Sequence, residues 1–586
     1  MPLSVEDYAL IGDGETAALV HRNGSVDWLC WPKFDSDACF AALLGTAENG
    51  CWYLGPVAPG QIVRQYREDT LVLETLHRTE TGEVRVLDFM PLRQDGAALI
   101  RIVEGVSGKV SMRMVMRLRG NYGAVAPWLA PAPAGFCGHV GACRFVVQGT
   151  LDMQATDGDL VASFDIGAGE TQHVALRFGA PAASPWEPAA LLADTQAYWR
   201  GWIGQFGKQT DWPAAVKRSL ITLKALVYHP TGGMVAAPTT SLPEKPGGSL
   251  NWDYRFCWVR DASFTVNALL NAGLHHEVRA WRDWMLQTMG AEAEKLRIMY
   301  RVSGERHIPE SEVEWLQGFN HARPVRIGNI ASTQHQADVH GELLEALHLA
   351  VQAGIAPSVH QLNAEMQLVS HIEATWHQPG AGLWESRGEP RHYVYSRVMA
   401  WVGVDRVLKC PASRAQAGPE RLARWERLRD TIHEDVCREG FHPGLNRFVE
   451  YYGGQTIDAS LLLLPLVGFL PIEDDRVAST IAAIEAQLLE DGLVRRKPSV
   501  GGEEQGAFIA CTLWLADCLG MQGRHEAARA TLARVLEVAN DVGLLAEEYD
   551  VPGRHLAGNF PQALSHLALV NTALGLCGPV LQRGGG

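Results

Sequence analysis

A chain of 586 residues with 47% hydrophobic and 20% charged side chains has ordinary globular composition and more length than one core usually holds, which excludes a disordered, fibrous or small stapled chain. Its 66 acidic and 51 basic residues give a formal charge of -15, so nucleic acid and anionic membranes are repelled and neither is expected as a partner. Eleven scattered cysteines without a CxxC pair read as reduced, mostly buried thiols, and with neither a leader pattern nor a long apolar span the expectation is a soluble cytoplasmic protein.

The first part of the chain is patterned in twos. Every even position from 110 to 118 is apolar, and 83–89, 160–166 and 174–178 form similar short runs between glycine-rich turns. This predicts an antiparallel β domain over 1–180 with one buried face. The proline-rich stretch 181–188 breaks the pattern and 191–206 resumes with helical spacing, so 181–207 is assigned as a linker and bridging helix.

From 208 to 586 the pattern is helical. Twelve helices are predicted near 213–228, 262–272, 277–289, 337–353, 361–376, 396–408, 419–437, 457–470, 476–489, 505–519, 524–539 and 561–575. Short and long connections alternate, so the long ones gather at one rim. Six hairpins with one elaborated end predict a closed α/α toroid whose long loops carry function; a flat solenoid is the alternative, but no motif of fixed period supports it.

The first long loop holds Asn251-Trp252-Asp253-Tyr254-Arg255-Phe256-Cys257-Trp258-Val259-Arg260-Asp261. Asp261 suits an N-cap for the second helix, which is the structural reading. The functional reading is that Arg260 and Asp261, framed by Tyr254 and Trp258, offer donors, acceptors and apolar ring faces to a polyhydroxy ligand such as a sugar. Gly382-Leu383-Trp384-Glu385 lies in the third long loop and Leu545-Ala546-Glu547-Glu548-Tyr549-Asp550 in the sixth. A loop glutamate is ordinarily solvated and idle. In a closed toroid, however, these two loops oppose each other across the mouth, where glycoside hydrolysis needs one protonated and one ionised carboxyl group. Trp384 beside Glu385 supplies desolvation that holds a proton, which makes Glu385 the acid. Glu547 and Glu548 are consecutive and extended, so one points away from the sugar and is structural. Pro561 suits the first turn of the last helix.

Three weaker signals are set aside. Gly12-Asp13-Gly14-Glu15-Thr16-Ala17 matches a dinucleotide fingerprint, but a turn follows it where a helix should begin. His335, His340 and Glu342 lack zinc-site spacing and read as helix-face residues. Arg323 and Arg326 are suited to an anion, although pairing with Glu310, Glu312 or Glu314 is the simpler role. No P-loop and no GxSxG elbow occurs.

The runs Trp258-Val259-Arg260-Asp261, Gly382-Leu383-Trp384-Glu385, Ala546-Glu547-Glu548-Tyr549-Asp550 and Gly558-Asn559-Phe560-Pro561-Gln562-Ala563 closely resemble motifs of glycoside hydrolase family 15, in order along nearly the whole chain. That family comprises glucoamylases, glucodextranases and bacterial trehalases. The resemblance implies a β-sandwich followed by an (α/α)₆ barrel, hydrolysis with inversion and no metal or organic cofactor. It further implies Glu385 as general acid, Glu547 as general base, and Tyr254, Trp258, Arg260, Asp261 and Trp384 around the non-reducing glucose. Fungal starch-degrading members usually carry a second Glu after the acid, and here that place is Ser386. This departure moves the expected substrate to a small α-glucoside, α,α-trehalose first, with α-1,4- or α-1,6-linked gluco-oligosaccharides as the alternative. From other classes, a non-catalytic sugar-binding protein is a rival disfavoured by the two carboxylates, and an inverting phosphorylase, which needs a basic phosphate cradle in place of the base, is disfavoured by Glu547. A homo-oligomer is left open.

Overall fold

The computed structural model describes residues 3–93, 96–133, 135–141, 143–179, 186–290, 292–498 and 506–578. The first part of the linker assigned above, 181–185, lies outside them, as does residue 505 at the predicted start of one helix.

The N-terminal part is an antiparallel sheet assembly of fifteen strands among the described residues. Its spine is the strand Ala97–Arg117. The first half of that strand pairs with Gly82–Phe89 and Thr171–Phe178, and the second half with Cys51–Pro56 and Asp159–Gly167, so one strand serves two layers. Gly105 and Gly108 lie where it passes between them. Gly108 has φ +63°, and a Cβ there would stand 2.1 Å from the Thr81 carbonyl oxygen.

The period-two reading holds in the second half, where Val110, Met112, Met114 and Met116 are buried and their odd-numbered neighbours are more open. It fails in the first half, which is buried on both faces. There a second small core of Val72, Leu87, Phe89, Ile100, Ile102 and Ala175 is covered by Leu191 and Leu192 of the bridging helix α1 (Pro188–Ile203). The expectation of a single buried face is corrected accordingly: where a helix caps the outer side, alternation gives way to a continuous apolar run.

Within this assembly Arg101 and Asp88 are both buried, with Nε 2.7 Å from Oδ1, while the two Nη groups donate to the Trp52 and Gly24 carbonyl oxygens at 2.7 Å each. Deleting one partner strands the other charge. Asp88→Ala should cost about 3–5 kcal/mol of stability, measured as an earlier unfolding transition in urea; a wild-type curve would show that water reaches Arg101.

The C-terminal part is helical. Its elements are α2 (Pro213–Ala225), α3 (Val259–Ala272), α4 (His275–Met289), α5 (Asp338–Gln352), α6 (Val359–Thr375), α7 (Val394–Lys409), α8 (Pro411–Glu439), α9 (Leu463–Leu466), α10 (Asp475–Leu488), α11 (Ile509–Met521), α12 (His525–Val538) and α13 (Ala563–Gly575). α3 packs on α5, α5 on α7, α7 on α9 and the 3₁₀ turn before it, that pair on α11, α11 on α13, and α13 back on α3. Residues 394–408 of α7 are buried all round, whereas α10 buries only Val477, Thr480, Ile481, Ile484 and Leu488, so helices of the first kind lie inside and those of the second outside.

Two predicted helices are corrected. The stretch 457–470 is a 3₁₀ turn (Ala459–Leu462) followed by the single turn α9, because Pro465 supplies no N–H to continue the ladder and Gly468 turns at φ +70°. The helix expected from 419 begins at Pro411 instead and kinks at Gly418 (φ +76°) before Pro419. Among the described residues no helix is long and apolar enough to cross a membrane.

Candidate active site

Strands and helices bring the long connections together around a cavity of about 310 Å³. Glu385, Glu547, Tyr254, Trp258, Arg260, Asp261 and Trp384 all line it. The seven residues singled out by sequence therefore share one environment.

Trp258 and Arg260 are placed by the start of α3, where Trp258 takes the N-cap position and Val259 opens the helix. Asp261 is consequently not the cap. It stands within the first turn, its Oδ2 held by Arg260 at 3.0 Å (Nε) and 2.9 Å (Nη2), while its buried Oδ1 finds no partner among the described residues.

Glu385 sits in a turn with φ +56°, a left-handed conformation that costs a non-glycine residue of order 1 kcal/mol and must be held by its surroundings. Its Oε1 accepts the Trp258 indole N–H at 2.6 Å and an Arg260 N–H at 3.2 Å, and Gln334 donates to the Glu385 and Ser386 carbonyl oxygens at 3.2 Å. Burial pushes the Glu385 carboxyl up, with Arg260 and the Trp258 hydrogen bond pulling the other way. The indole bonded to the acid is thus that of Trp258, while Trp384, expected to desolvate Glu385, lines the same cavity. Trp384 directs its N–H to the Asp458 carboxylate at 2.9 and 3.0 Å and packs edge-on against Phe508.

Glu547 immediately precedes a short strand, Glu548–Asp550, paired on both sides by Ala507–Phe508 and His555–Ala557. The extended backbone separates the two acids. Glu547 faces the cavity, accepting the Tyr254 O–H at 2.7 Å, while Glu548 is fully buried against Arg496, 2.9 Å away. Gly558 lies directly against the first of them: at φ +82°, a Cβ there would come within 2.8 Å of the Glu547 carboxylate. Burial, then Glu244, pushes Glu547 up to about 8, opposed by Arg496 and the Tyr254 hydrogen bond; burial raises Glu548 as well, opposed by Arg496.

Sequence reading missed several cavity residues. Arg496 is bonded to Glu244 and to Glu548, and it lies over the rings of Trp384 and Phe508. Both Glu244 and Arg496 come from predicted long connections, and the basic run Arg495-Arg496-Lys497 was the one available signal; nothing in the sequence marks Glu244. Trp252 and Arg387 complete the rim.

The set-aside signals fall where packing needs them. Gly12 ends one strand and Ala17 begins the next, a hairpin and not a βαβ unit. His340 is buried against the His371 ring at 4.5 Å, with burial lowering it to about 3, and Glu342 accepts the Tyr395 O–H at 3.0 Å. Arg326 pairs with Glu310 at 3.7 Å. Pro561 stands outside the last helix, which Gln562 caps by accepting the Ser565 N–H at 3.0 Å.

A family model described as Glycosyl hydrolases family 15 matches residues 213–574, and one described as Trehalase-like, N-terminal matches residues 1–145. The chain is 32% identical to a trehalase of Thermoplasma volcanium, across 99% of this chain and 94% of that protein. It is 35% identical to a trehalase of Mycobacterium tuberculosis, across 97% and 89% respectively. Among solved structures it resembles a bacterial glucoamylase complexed with acarbose, with a TM-score of 0.74 at 11% identity over 99% of this chain and 95% of that one, a likeness of fold.

Proposed function

The chain belongs to family 15 of the glycosyl hydrolases, and from that premise we propose that it is an inverting, exo-acting α-glucosidase that hydrolyses α,α-trehalose, with Glu385 as general acid and Glu547 as general base. The observation carrying this reading is that the two carboxyl groups, from distant parts of the chain, line one cavity and are each held by hydrogen bonds from cavity residues.

The chemistry follows from those contacts. Both donors to Glu385 meet Oε1, which leaves Oε2 to carry the proton to the departing glycosidic oxygen. Glu547, oriented by the Tyr254 hydroxyl, takes a proton from water attacking the anomeric carbon from the other face. The C–O bond to the leaving glucose breaks as the bond to water forms, and no covalent sugar–enzyme intermediate arises. Asp261 Oδ1 and the Arg260 guanidinium serve the hydroxyls of the bound glucose, and the Trp258 and Trp384 rings exclude water from its apolar faces.

We also read the ring α3, α5, α7, α9, α11 and α13 with its outer partners as an (α/α)₆ barrel over 208–586, and the two-layered sheet of 1–180 as a β-sandwich, joined by 181–207. The likeness to glucoamylase supports this architecture. A reducing compartment, the cytoplasm, is supported by eleven free cysteines, most of them buried.

The test compares glucose release from trehalose, maltose, isomaltose and soluble starch, with the anomers followed by proton NMR. Trehalose should be the preferred substrate. Inversion at one anomeric carbon of trehalose yields one β- and one α-glucose in the first minutes; two α-glucose molecules would mean retention and remove Glu547 from the role of base.

A further inference from the structure

Two guanidinium groups lie over the Trp252 indole at the cavity mouth: Arg387, 3.9 Å from the ring centroid, and Arg326, 4.5 Å from it. Glu310 ties them together. Its two oxygens receive the Arg387 Nη groups at 3.0 and 2.6 Å, it stands 3.7 Å from Arg326 Nε, and it accepts the Ile330 N–H at 3.1 Å. Arg387 both lines the cavity and leaves 38% of its side chain exposed, while Glu547, Glu244 and Asp261 are buried, so Arg387 marks the boundary with solvent.

The chain position of Arg387 matters as much as its contacts. It lies two residues beyond Glu385 in the same loop, after Ser386, whose hydroxyl accepts the Gly388 N–H at 3.3 Å in a tight turn. We propose that Arg387, pinned by Glu310 against Trp252, is the specificity-determining residue for the leaving sugar: it donates to hydroxyls of the second glucose and blocks the path that a third unit needs. The bidentate pair with Glu310 leaves Nε and the remaining N–H groups of the fork free to meet a hydroxyl. Such a strap makes the cavity fit a disaccharide, and its place in the acid's own loop ties capture of the second sugar to placement of Glu385. The inference rests on the disaccharide hydrolysis proposed above.

Arg387→Ala tests it with substrates that differ only beyond the first sugar. α-Glucosyl fluoride fills the first-sugar site alone, trehalose adds a second unit, and maltotriose a third. Relative to α-glucosyl fluoride, kcat/KM for trehalose should fall by at least about tenfold in the variant, the factor carried by one charge-assisted hydrogen bond, with KM taking most of the change. Activity on maltotriose relative to trehalose should rise. Glu310→Gln, which frees the guanidinium without removing it, should shift both ratios in the same direction. Unchanged ratios, or equal losses on all three substrates, overturn the role of Arg387. Failure of the unmodified protein to cleave trehalose while it cleaves α-glucosyl fluoride overturns the disaccharide reading instead.

Discussion

Glu385→Gln should lower kcat on trehalose by about 10³–10⁴-fold, at the upper end of what proton transfer to a leaving group supplies. Glutamine preserves the shape of the site, since its carbonyl oxygen can still accept from Trp258 and Arg260, so the thermal transition should match that of the unmodified protein. The lost property is the transferable proton. Glucose leaving as an alkoxide needs it; fluoride leaving as a stable anion does not. Hydrolysis of α-glucosyl fluoride should therefore survive in Glu385→Gln far better than hydrolysis of trehalose. Equal losses on the two substrates would make Glu385 a binding residue, and near-normal trehalose turnover would remove it from the reaction.

How far the sequence announces this site depends on whether a residue's role lies in its own segment or in what folds against it. Tyr254, Trp258, Arg260 and Trp384 were legible because aromatic and charged residues crowd into loops, where they have no periodic duty. The helices were legible from spacing alone, although Pro465 in the inner ring and Gly418 in α8 moved two boundaries through local backbone chemistry. Glu244 was not legible: a single acid in a proline- and glycine-rich loop gains meaning only when Arg496, 252 positions away, reaches it. The left-handed turn at Glu385 and the turning of Trp384 toward Asp458 were equally hidden, because both are imposed by tertiary contacts. The strand Ala97–Arg117 shows the same limit in the sheet, where its first half reads as an undifferentiated apolar run until α1 is seen to cover it.

Glu547→Gln should differ from Glu385→Gln in losing trehalose and α-glucosyl fluoride together, by about 10²–10⁴-fold each, because both reactions need the attacking water deprotonated. Its neighbour supplies the internal control. Glu548 turns away from the cavity toward Arg496, whereas Glu547 lines it, so only the first of the two adjacent acids reaches the attacking water. Gln at 548 keeps the side chain's shape and an acceptor oxygen for Arg496, and Glu548→Gln should retain most of the turnover that Glu547→Gln removes. The pH profile reports the pair: burial raises both carboxyl groups, so kcat/KM should describe a bell with a limb above the ordinary carboxylate range of about 4.3, its two limbs belonging to Glu547 and Glu385 together and not to one group each. Glu244→Gln removes a negative neighbour that raises Glu547 and frees Arg496 to act on it, and both changes favour the ionised base, so one limb of the bell should move to lower pH. A limb unmoved by Glu244→Gln would separate Glu244 from the base, and activity lost in Glu548→Gln but kept in Glu547→Gln would transfer the role of base to the second acid.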